Sequence, residues 1–325
     1  MTGAERNRHI RLIREQSEIL EPLPVALPPE WAALPKGGEG SLEGVRAVIF
    51  DVYGTLFVSR AGDIAGADTA GMNAAGEGFS ETAPMKAYFT EEVRRRHEEA
   101  RSGGEAWPEV DAGDIWAAYR GPIPGAWEEA RRLRRILERT GGSPPRPGRV
   151  LGRCLALRYE LAVNPVYPMP GAEEVLRSLA ARGLALGIIS NAQFYTPLLF
   201  DAFFGASPEA LGFDPALVLY SFAEGIAKPS PELFARSRRS LLRRGIAPEE
   251  ALYIGNDMRN DIVPAAEAGF KTALFAGDRR SLRLREEDPR CVNQKPRVIL
   301  EDLRALLPAA AGRDQARDDP GRYSK

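Results

Sequence analysis

VRAVIFDVYGT, residues 45–55, begins with the largely apolar run VRAVIF. Asp51 follows this run directly, and Gly54 and Thr55 end the stretch. Short apolar runs rich in β-branched residues and bounded by turn residues are typical of buried strands. We therefore predict a central strand over residues 45–50. In an open parallel sheet, ligands bind beyond the carboxyl ends of the strands, so Asp51 is the first candidate functional residue.

Helix and strand patterns alternate along the chain from about residue 165. The strand-like runs are LALGIIS, LVLYS, ALYIG and KTALF, and helical segments such as AEEVLRSLAARG and PELFARSRRSLLRRG lie between them. Alternation of this kind is typical of βαβ units, so we predict an α/β fold with a doubly wound parallel sheet. The later segment PRVILEDLRALL predicts an edge strand and a closing helix.

The parts of the chain outside this alternation have a different character. The segment from Ala61 onward combines a Gly- and Ala-rich stretch with helical patterns such as MKAYFTEEVRRRHEEA and RVLGRCLALRYELAV. The amino-terminal part predicts a helix from Glu5 to about Leu20 and then a proline-rich linker. The predicted domains are an arm (1–44), a core (45–60 and 165–305), a mostly helical insertion (61–164) and a disordered tail (306–325).

The composition limits the class of protein. Lys and Arg total 44 against 45 Asp and Glu, and the formal net charge of −1 gives no electrostatic footprint for nucleic acid or anionic membrane. The amino-terminal segment is charged throughout, and no apolar run approaches the length of a membrane span. Cys154 and Cys291 lack a paired metal-binding or redox spacing. We expect a cytoplasmic protein that acts on a small molecule, without a nucleic-acid or membrane partner.

Polar residues stand at four positions that a parallel sheet gathers at one edge. They are Asp51, the pair Ser190 and Asn191, Lys228, and the pair Asp257 and Asp261. Asp, Ser and Asn also cap helices and begin turns, so each position by itself has a purely structural interpretation. Together, the carboxylates, the lysine and the hydroxyl can bind a divalent cation and a phosphate, and one carboxylate is left to attack.

The order and the amino-acid sequences of these segments resemble the motifs of the haloacid dehalogenase superfamily of hydrolases. The matching segments are FDVYGTLF, ISNAQ, KPSPELF and GNDMRND, which stand in the order of the four motifs of that superfamily. The resemblance covers the predicted core. It implies a Rossmann-like sheet with a helical cap inserted after the first strand, in the place of the predicted insertion.

The resemblance implies a role for each motif residue. It makes Asp51 the nucleophile of an aspartyl intermediate and places Gly54 and Thr55 in a loop around the phosphate. Ser190 then donates a hydrogen bond to a phosphoryl oxygen, and Lys228 offsets charge on the nucleophile and the phosphate. Asn191 shapes its loop or contacts the substrate.

In the phosphatase branch of the superfamily, the resemblance also implies a Mg²⁺ cofactor. Its ligands are expected to be Asp51, the backbone carbonyl of Tyr53 and Asp257. Asp261 is expected to contact these ligands without touching the cation, or to bind the cation through a water molecule. Such a cation screens the repulsion between an anionic nucleophile and an anionic substrate. Two acids at this four-residue spacing are unfavourable neighbours unless a cation or a lysine compensates them, and their presence favours the magnesium branch. The alternative is that they complement the dipole of a helix N-terminus, which needs no metal.

Tyr53 departs from the phosphatase pattern, in which a second aspartate at this position protonates the leaving group. A phenol with an ordinary pKa of about 10 is a poor proton donor near neutral pH. Tyrosine here is found in the metal-independent 2-haloacid dehalogenases, so hydrolysis of a short 2-haloacid by Asp51 is a second interpretation. Against it, the dehalogenase pattern has a tyrosine where this chain has Phe234.

A third interpretation is a catalytically quiet protein that binds phosphate or acts as a scaffold. The intact aspartate, lysine and paired acids argue against it, because packing alone does not require that combination. The sequence therefore predicts a hydrolase, and hydrolysis of a small phosphorylated metabolite with Mg²⁺ is the preferred reaction.

Overall fold

A parallel sheet forms the centre of the protein in the computed structural model, which describes residues 1–62, 81–139 and 145–308. The strands are β1 (Ala47–Phe50), β2 (Phe57–Ser59), β3 (Val166–Pro168), β4 (Ala185–Ser190), β5 (Phe213–Tyr220), β6 (Ala251–Gly255), β7 (Lys271–Phe275) and β8 (Val298–Leu300). Six of them pair in parallel in the order β5-β4-β1-β6-β7-β8. The predicted α/β class with a doubly wound parallel sheet is confirmed.

Helices connect the strands and form the region between β2 and β3. They are α1 (Gly3–Gln16), α2 (Pro29–Ala32), α3 (Ala83–Ser102), α4 (Ala112–Ala117), α5 (Glu128–Arg139), α6 (Pro145–Val163), α7 (Ala172–Ala181), α8 (Thr196–Phe204), α9 (Ser221–Glu224), α10 (Pro231–Arg243) and α11 (Val263–Glu267). In the part of the chain that the structure describes, no helix is long and apolar enough to cross a membrane.

Strand β1 lies in the middle of the sheet, between β4 and β6. Its side chains alternate between the two faces: Val48 and Phe50 join one apolar cluster, and Ala47 and Ile49 join another. Burial on both faces explains why the strand is a continuous apolar run rather than an alternating one. Later strands extend the sheet in both directions from β1, so Asp51 follows the strand at the topological switch point, where ligand crevices form in such sheets.

The helices α3 to α6 occupy the predicted insertion, which is closed at its base by an antiparallel pair of β2 and β3. Helices α4 and α6 approach so closely that a Cβ at Gly152 would lie 2.2 Å from the carbonyl oxygen of Gly113. The Gly- and Ala-rich residues 63–80 lie outside the described residues, as do residues 309–325 of the predicted tail. The domain boundaries stay predictions.

Helix α1 packs against α8 and α6, so the arm docks on the core of its own chain. Ile13 is fully buried, and the guanidinium of Arg6 lies 2.6 Å from the carboxylate of Asp201 on α8. The predicted helix is present but shorter than expected, because the backbone becomes extended at Ser17. Leu20 is buried although it lies beyond the helix.

The linker and the carboxyl-terminal segment meet at β8. Lys36 forms a parallel bridge with Ile299, which covers the edge of the sheet, and Trp31 is buried nearby. The predicted edge strand is thus confirmed as β8. The predicted closing helix is wrong: a single 3₁₀ turn, Leu303–Leu306, follows β8, and Pro308 comes soon after it.

We expect Ile13→Ala to lower the free energy of unfolding by about 2–4 kcal/mol, because truncation of a buried side chain loses apolar contacts and leaves a cavity. Ile19→Ala is the matched control, since Ile19 is 71% exposed and its truncation should change stability by less than about 0.5 kcal/mol. Urea unfolding of both variants measures the difference. Equal stability of the two variants would show that the arm does not pack on the core.

Candidate active site

Three loops at the carboxyl edge of the sheet bring two aspartates and a lysine into contact. Asp51 follows β1, Lys228 follows α9, and Asp261 lies in the turn after β6. The Nζ atom of Lys228 donates to Oδ1 of Asp51 at 2.7 Å and to Oδ1 of Asp261 at 2.6 Å. All three side chains are buried. The structure therefore joins three of the predicted site residues in one ion cluster.

The charge states in this cluster follow from burial and from the short distances. Burial alone lowers the pKa of Lys228, but Asp261 and Asp51 more than offset that effect and hold the pKa well above its usual value. Burial raises the pKa of Asp261 to about 6, with Asp51 and Asp257 acting in the same direction and Lys228 opposing them. The lysine is charged at neutral pH, and it faces more carboxylates than it can neutralise.

Tyr253 belongs to the same cluster, although no motif or spacing in the sequence selects it. Its hydroxyl donates to Oδ1 of Asp261 at 2.9 Å and lies 3.4 Å from Nζ of Lys228. Burial, together with Asp261 and Asp51, raises the pKa of Tyr253 well above its usual value, so the phenol stays neutral and remains a donor. A tyrosine inside a strand is ordinary core composition, so only the structure identifies this role.

The second oxygen of Asp261 fixes the loop that follows β6. It accepts the backbone N–H groups of Asn256 at 3.0 Å and Asp257 at 2.9 Å. A Cβ at Gly255 would lie 2.5 Å from Cγ of Asp261, so this approach requires glycine. Asp261 therefore positions both Lys228 and the loop that carries Asp257. Its part in metal binding stays a prediction.

Asn191 holds the backbone that presents the lysine. Its Oδ1 accepts the backbone N–H of Lys228 at 2.7 Å, and its Nδ2 lies 3.4 Å from the Lys228 carbonyl oxygen. The hydroxyl of Ser190, which is fully buried, donates to the carbonyl of Asn191 at 3.0 Å. The structure places Asn191 against the lysine backbone and Ser190 next to Asn191, and their contacts with a substrate stay predictions.

The loop after Asp51 is held by close packing. Gly54 has a φ of +78°, and a Cβ there would lie 2.3 Å from Cβ of Ser281, so both the conformation and the space require glycine. The hydroxyl of Thr55 donates to Oδ1 of Asn256 at 3.0 Å. This bond fixes the loop against the one after β6. Phosphate binding by Gly54 and Thr55 stays a prediction.

Tyr53 is buried with its hydroxyl against the start of α8. The phenolic oxygen lies 2.9 Å from Oγ1 of Thr196, which also accepts the backbone N–H of Gln193 at 3.0 Å. The phenol therefore links the loop after β1 to the loop after β4. This contact is structural, and it accounts for a tyrosine here without a role in proton transfer.

The helical insertion is docked on the loops that carry the lysine and its supporting amide. The carboxylate of Glu109 accepts the hydroxyl of Ser221 at 2.5 Å, and Nε2 of Gln193 donates to the carbonyl of Val110 at 2.7 Å. The backbone N–H of Ala227, which immediately precedes the lysine, donates to a carbonyl of the insertion at 2.9 Å. Glu109 appears in the sequence as an ordinary loop acid, so sequence analysis missed this contact.

The chemistry of the oxygen donors fits a hard divalent cation. Asp51, the carbonyl of Tyr53 and Asp257 come from two loops at one edge of the sheet, and Mg²⁺ prefers such oxygens. Asp51 and Asp257 both raise the pKa of Asp261, as neighbouring carboxylates do. Within the described ranges, however, no three His, Cys, Asp or Glu side chains are arranged as a metal site. The carboxylate of Asp257 is instead paired with Arg285 at 2.8 Å.

Comparison with known proteins supports the resemblance to the haloacid dehalogenase superfamily. Residues 45–269 match the family model of the haloacid dehalogenase-like hydrolases. A phosphoserine phosphatase of Thermus thermophilus is 35% identical over 205 residues, which cover 61% of this chain and 73% of that protein. A phosphoglycolate phosphatase of Escherichia coli K12 is 28% identical over 287 residues, which cover 82% of this chain and 93% of that protein.

Among solved structures, an L-2-haloacid dehalogenase of Xanthobacter autotrophicus aligns over 80% of this chain and 95% of its own, with 18% identity and a TM-score of 0.40. The family model covers more than half of the chain, and the four motifs fall at the carboxyl edge of the sheet. The chain therefore belongs to the haloacid dehalogenase-like hydrolase family.

Proposed function

We propose that the protein is a Mg²⁺-dependent phosphatase that hydrolyses a monoester of a small phosphorylated metabolite through an aspartyl-phosphate on Asp51. The observation that carries the proposal is the contact of Lys228 with Asp51 at 2.7 Å, at the carboxyl end of the central strand. The similarity to a phosphoserine phosphatase and a phosphoglycolate phosphatase supports the substrate class.

In the first step, a carboxylate oxygen of Asp51 attacks the phosphorus atom, the ester P–O bond breaks, and the leaving alkoxide takes a proton from solvent water. In the second step, water attacks the phosphorus of the aspartyl-phosphate. The P–O bond to Asp51 breaks, inorganic phosphate forms and the carboxylate is restored. Division into two displacements lets one buried carboxylate carry out the reaction.

Lys228 supplies positive charge where the substrate adds negative charge. Its ammonium is held by Asp261, and its backbone N–H is held by the side-chain amide of Asn191. The lysine is therefore in position before the substrate binds. Asp51, the carbonyl of Tyr53 and Asp257 are the proposed Mg²⁺ ligands. The cation, when bound, adds charge that screens the phosphate from the nucleophile.

The leaving group receives no proton from Tyr53 in this proposal, because the phenol is tied to Thr196 and has a high ordinary pKa of about 10. Substrates whose leaving groups are already weak bases therefore suit the site best. This property distinguishes the chain from phosphatases that carry an aspartate at the same position.

We expect Asp51→Asn to abolish phosphate release, because an amide oxygen is a poor nucleophile. Phosphate release from p-nitrophenyl phosphate, L-phosphoserine and phosphoglycolate, with Mg²⁺ or with EDTA, measures the effect. Asp302→Asn is the control, since Asp302 also follows a strand but is exposed and pairs with Arg304. Halide release from 2-haloacids without metal would instead support the dehalogenase alternative, and no turnover of any substrate would support the noncatalytic one.

We expect Lys228→Met to lower the free energy of unfolding by about 3–5 kcal/mol at neutral pH, because it removes the ammonium that bonds two buried carboxylates. Loss of the lysine removes a charge and a hydrogen bond that both lower the pKa of Asp261, so that pKa rises above about 6. A carboxyl group with a raised pKa in the folded state favours folding when it is protonated, so the stability deficit should shrink as the pH falls from 8 to 5.

Urea unfolding across this pH range tests the Lys228 prediction. The control is Lys36→Met, which removes an exposed ion pair with Glu301 and should change stability by less than about 1 kcal/mol at any pH. A deficit for Lys228→Met that is independent of pH would contradict the shared-ammonium arrangement.

We expect Tyr53→Phe to keep kcat within about threefold of wild type, because the hydroxyl transfers no proton. Tyr53→Asp should raise kcat for L-phosphoserine by about tenfold or more, with a smaller change for p-nitrophenyl phosphate, whose leaving group is a weak base. Steady-state kinetics on both substrates measures this split. A large loss of kcat in Tyr53→Phe would show that the phenol is the acid.

A further inference from the structure

The loop between β7 and β8 carries an arginine that reaches into the candidate metal site. The guanidinium of Arg285 donates to Oδ2 of Asp257 from Nη2 at 2.8 Å and from Nε at 3.2 Å, and Nε also lies 3.3 Å from Oδ1. Asp257 is buried, and the Arg285 side chain is 23% exposed. A paired contact of this kind is among the stronger ion pairs in proteins.

The remaining capacity of the Asp257 carboxylate is also engaged. Oδ1 accepts the backbone N–H groups of Arg259 at 2.8 Å and Asn260 at 3.2 Å, and Oδ2 lies 3.2 Å from Nδ2 of Asn260. A cation that binds this carboxylate must take a position that a donor now holds. Two of these donors, the guanidinium and the Asn260 amide, are side-chain groups that can leave without disturbing the backbone, and only the guanidinium carries a charge that a cation repels.

We propose that Arg285 is a latch on the metal site, and that Mg²⁺ binds Asp257 only when it displaces the guanidinium. The inference rests on the proposed function for the identity of the metal ligands. It adds a residue that sets the affinity for the cation, in a loop that lies outside the four motifs.

The backbone around Arg285 is anchored, so the side chain is the part that moves. The loop pairs with the segment after β6 through Met258 N–H to the Arg283 carbonyl at 2.9 Å and Arg283 N–H to the Asn256 carbonyl at 2.9 Å. Arg285 itself has a φ of +53°, which is unfavourable for a residue with a Cβ and is held by these neighbouring contacts. The latch is therefore a local change of one side chain.

A cavity beside the ion pair can receive the displaced guanidinium. It has a volume of about 710 Å³, and its charged lining residues are Arg259, Arg285, Glu286, Glu287, Asp288 and Arg290. Asp288 is already paired with Arg290, so Glu286 and Glu287 are the carboxylates that give the released guanidinium alternative partners near the surface. Displacement by Mg²⁺ thus exchanges one carboxylate partner for others and does not leave a buried charge unpaired.

Calorimetric binding of MgCl₂ to the full chain tests the latch without reference to turnover. We expect Arg285→Ala to bind Mg²⁺ about tenfold more tightly than wild type, because the competing ion pair is gone. Arg285→Lys keeps the charge and the fold but loses the two-pronged contact, and its affinity should lie between the two. Asp257→Asn should bind Mg²⁺ more weakly than wild type, with or without Arg285.

Arg259→Ala is the charge-matched control, because Arg259 lies two residues from Asp257 and its guanidinium bonds the side chain of Asn260. We expect its Mg²⁺ affinity to stay within about twofold of wild type. An equal gain in Arg259→Ala and Arg285→Ala would show that a general field effect, and not a latch, sets the affinity. Unchanged affinity in Arg285→Ala, or no Mg²⁺ binding to any form, would also overturn the proposal.

Thermal unfolding gives a second readout. Arg285→Ala should have a lower Tm than wild type in EDTA, because Asp257 loses its ion pair, and Mg²⁺ should raise its Tm by more than it raises that of wild type. Tighter Mg²⁺ binding without phosphate release would support the latch and contradict the proposed function. Mg²⁺-dependent phosphate release with equal affinities in both proteins would do the reverse.

Discussion

Lys228 Nζ lies 2.7 Å from Asp51 and 2.6 Å from Asp261, and the rest of the active-site structure keeps that buried ammonium in place. Two carboxylates cannot be brought together in the interior without a cation, because both desolvation and mutual repulsion oppose it. The lysine makes their approach possible. Its own burial is tolerated for the same reason, since the carboxylates keep it charged.

The sheet supplies the convergence that this ion cluster needs. β1 lies between β4 and β6, so the loops with Asp51, Asn191 and Asp261 leave the sheet side by side. The lysine arrives from a more distant connection and is fixed by the Asn191 amide through its backbone. The helical insertion docks on the same connection, at the residue before the lysine. Docking of the insertion and placement of the Lys228 ammonium thus depend on one loop.

The sequence was sufficient for the sheet and for the four polar positions, because strand periodicity and motif order are local properties. It did not predict the residues that complete the site across long distances. Tyr253 has the sequence context of a core tyrosine, and Arg285 reaches Asp257 from 28 residues away. Such contacts leave no periodic signal. The end of α1 was misplaced for a related reason, since Leu20 is buried by tertiary packing and not by continuation of the helix.

In the proposed reaction, Asp51 becomes phosphorylated during turnover. This step is tested most directly by acid quench of the enzyme during turnover of p-nitrophenyl phosphate, with peptide mapping by mass spectrometry. We expect a phosphoryl group on the carboxylate of Asp51, stable to acid and removed by hydroxylamine, as an acyl phosphate should be. Steady phosphate release with an unmodified Asp51, or with the phosphoryl group on another residue, would contradict it.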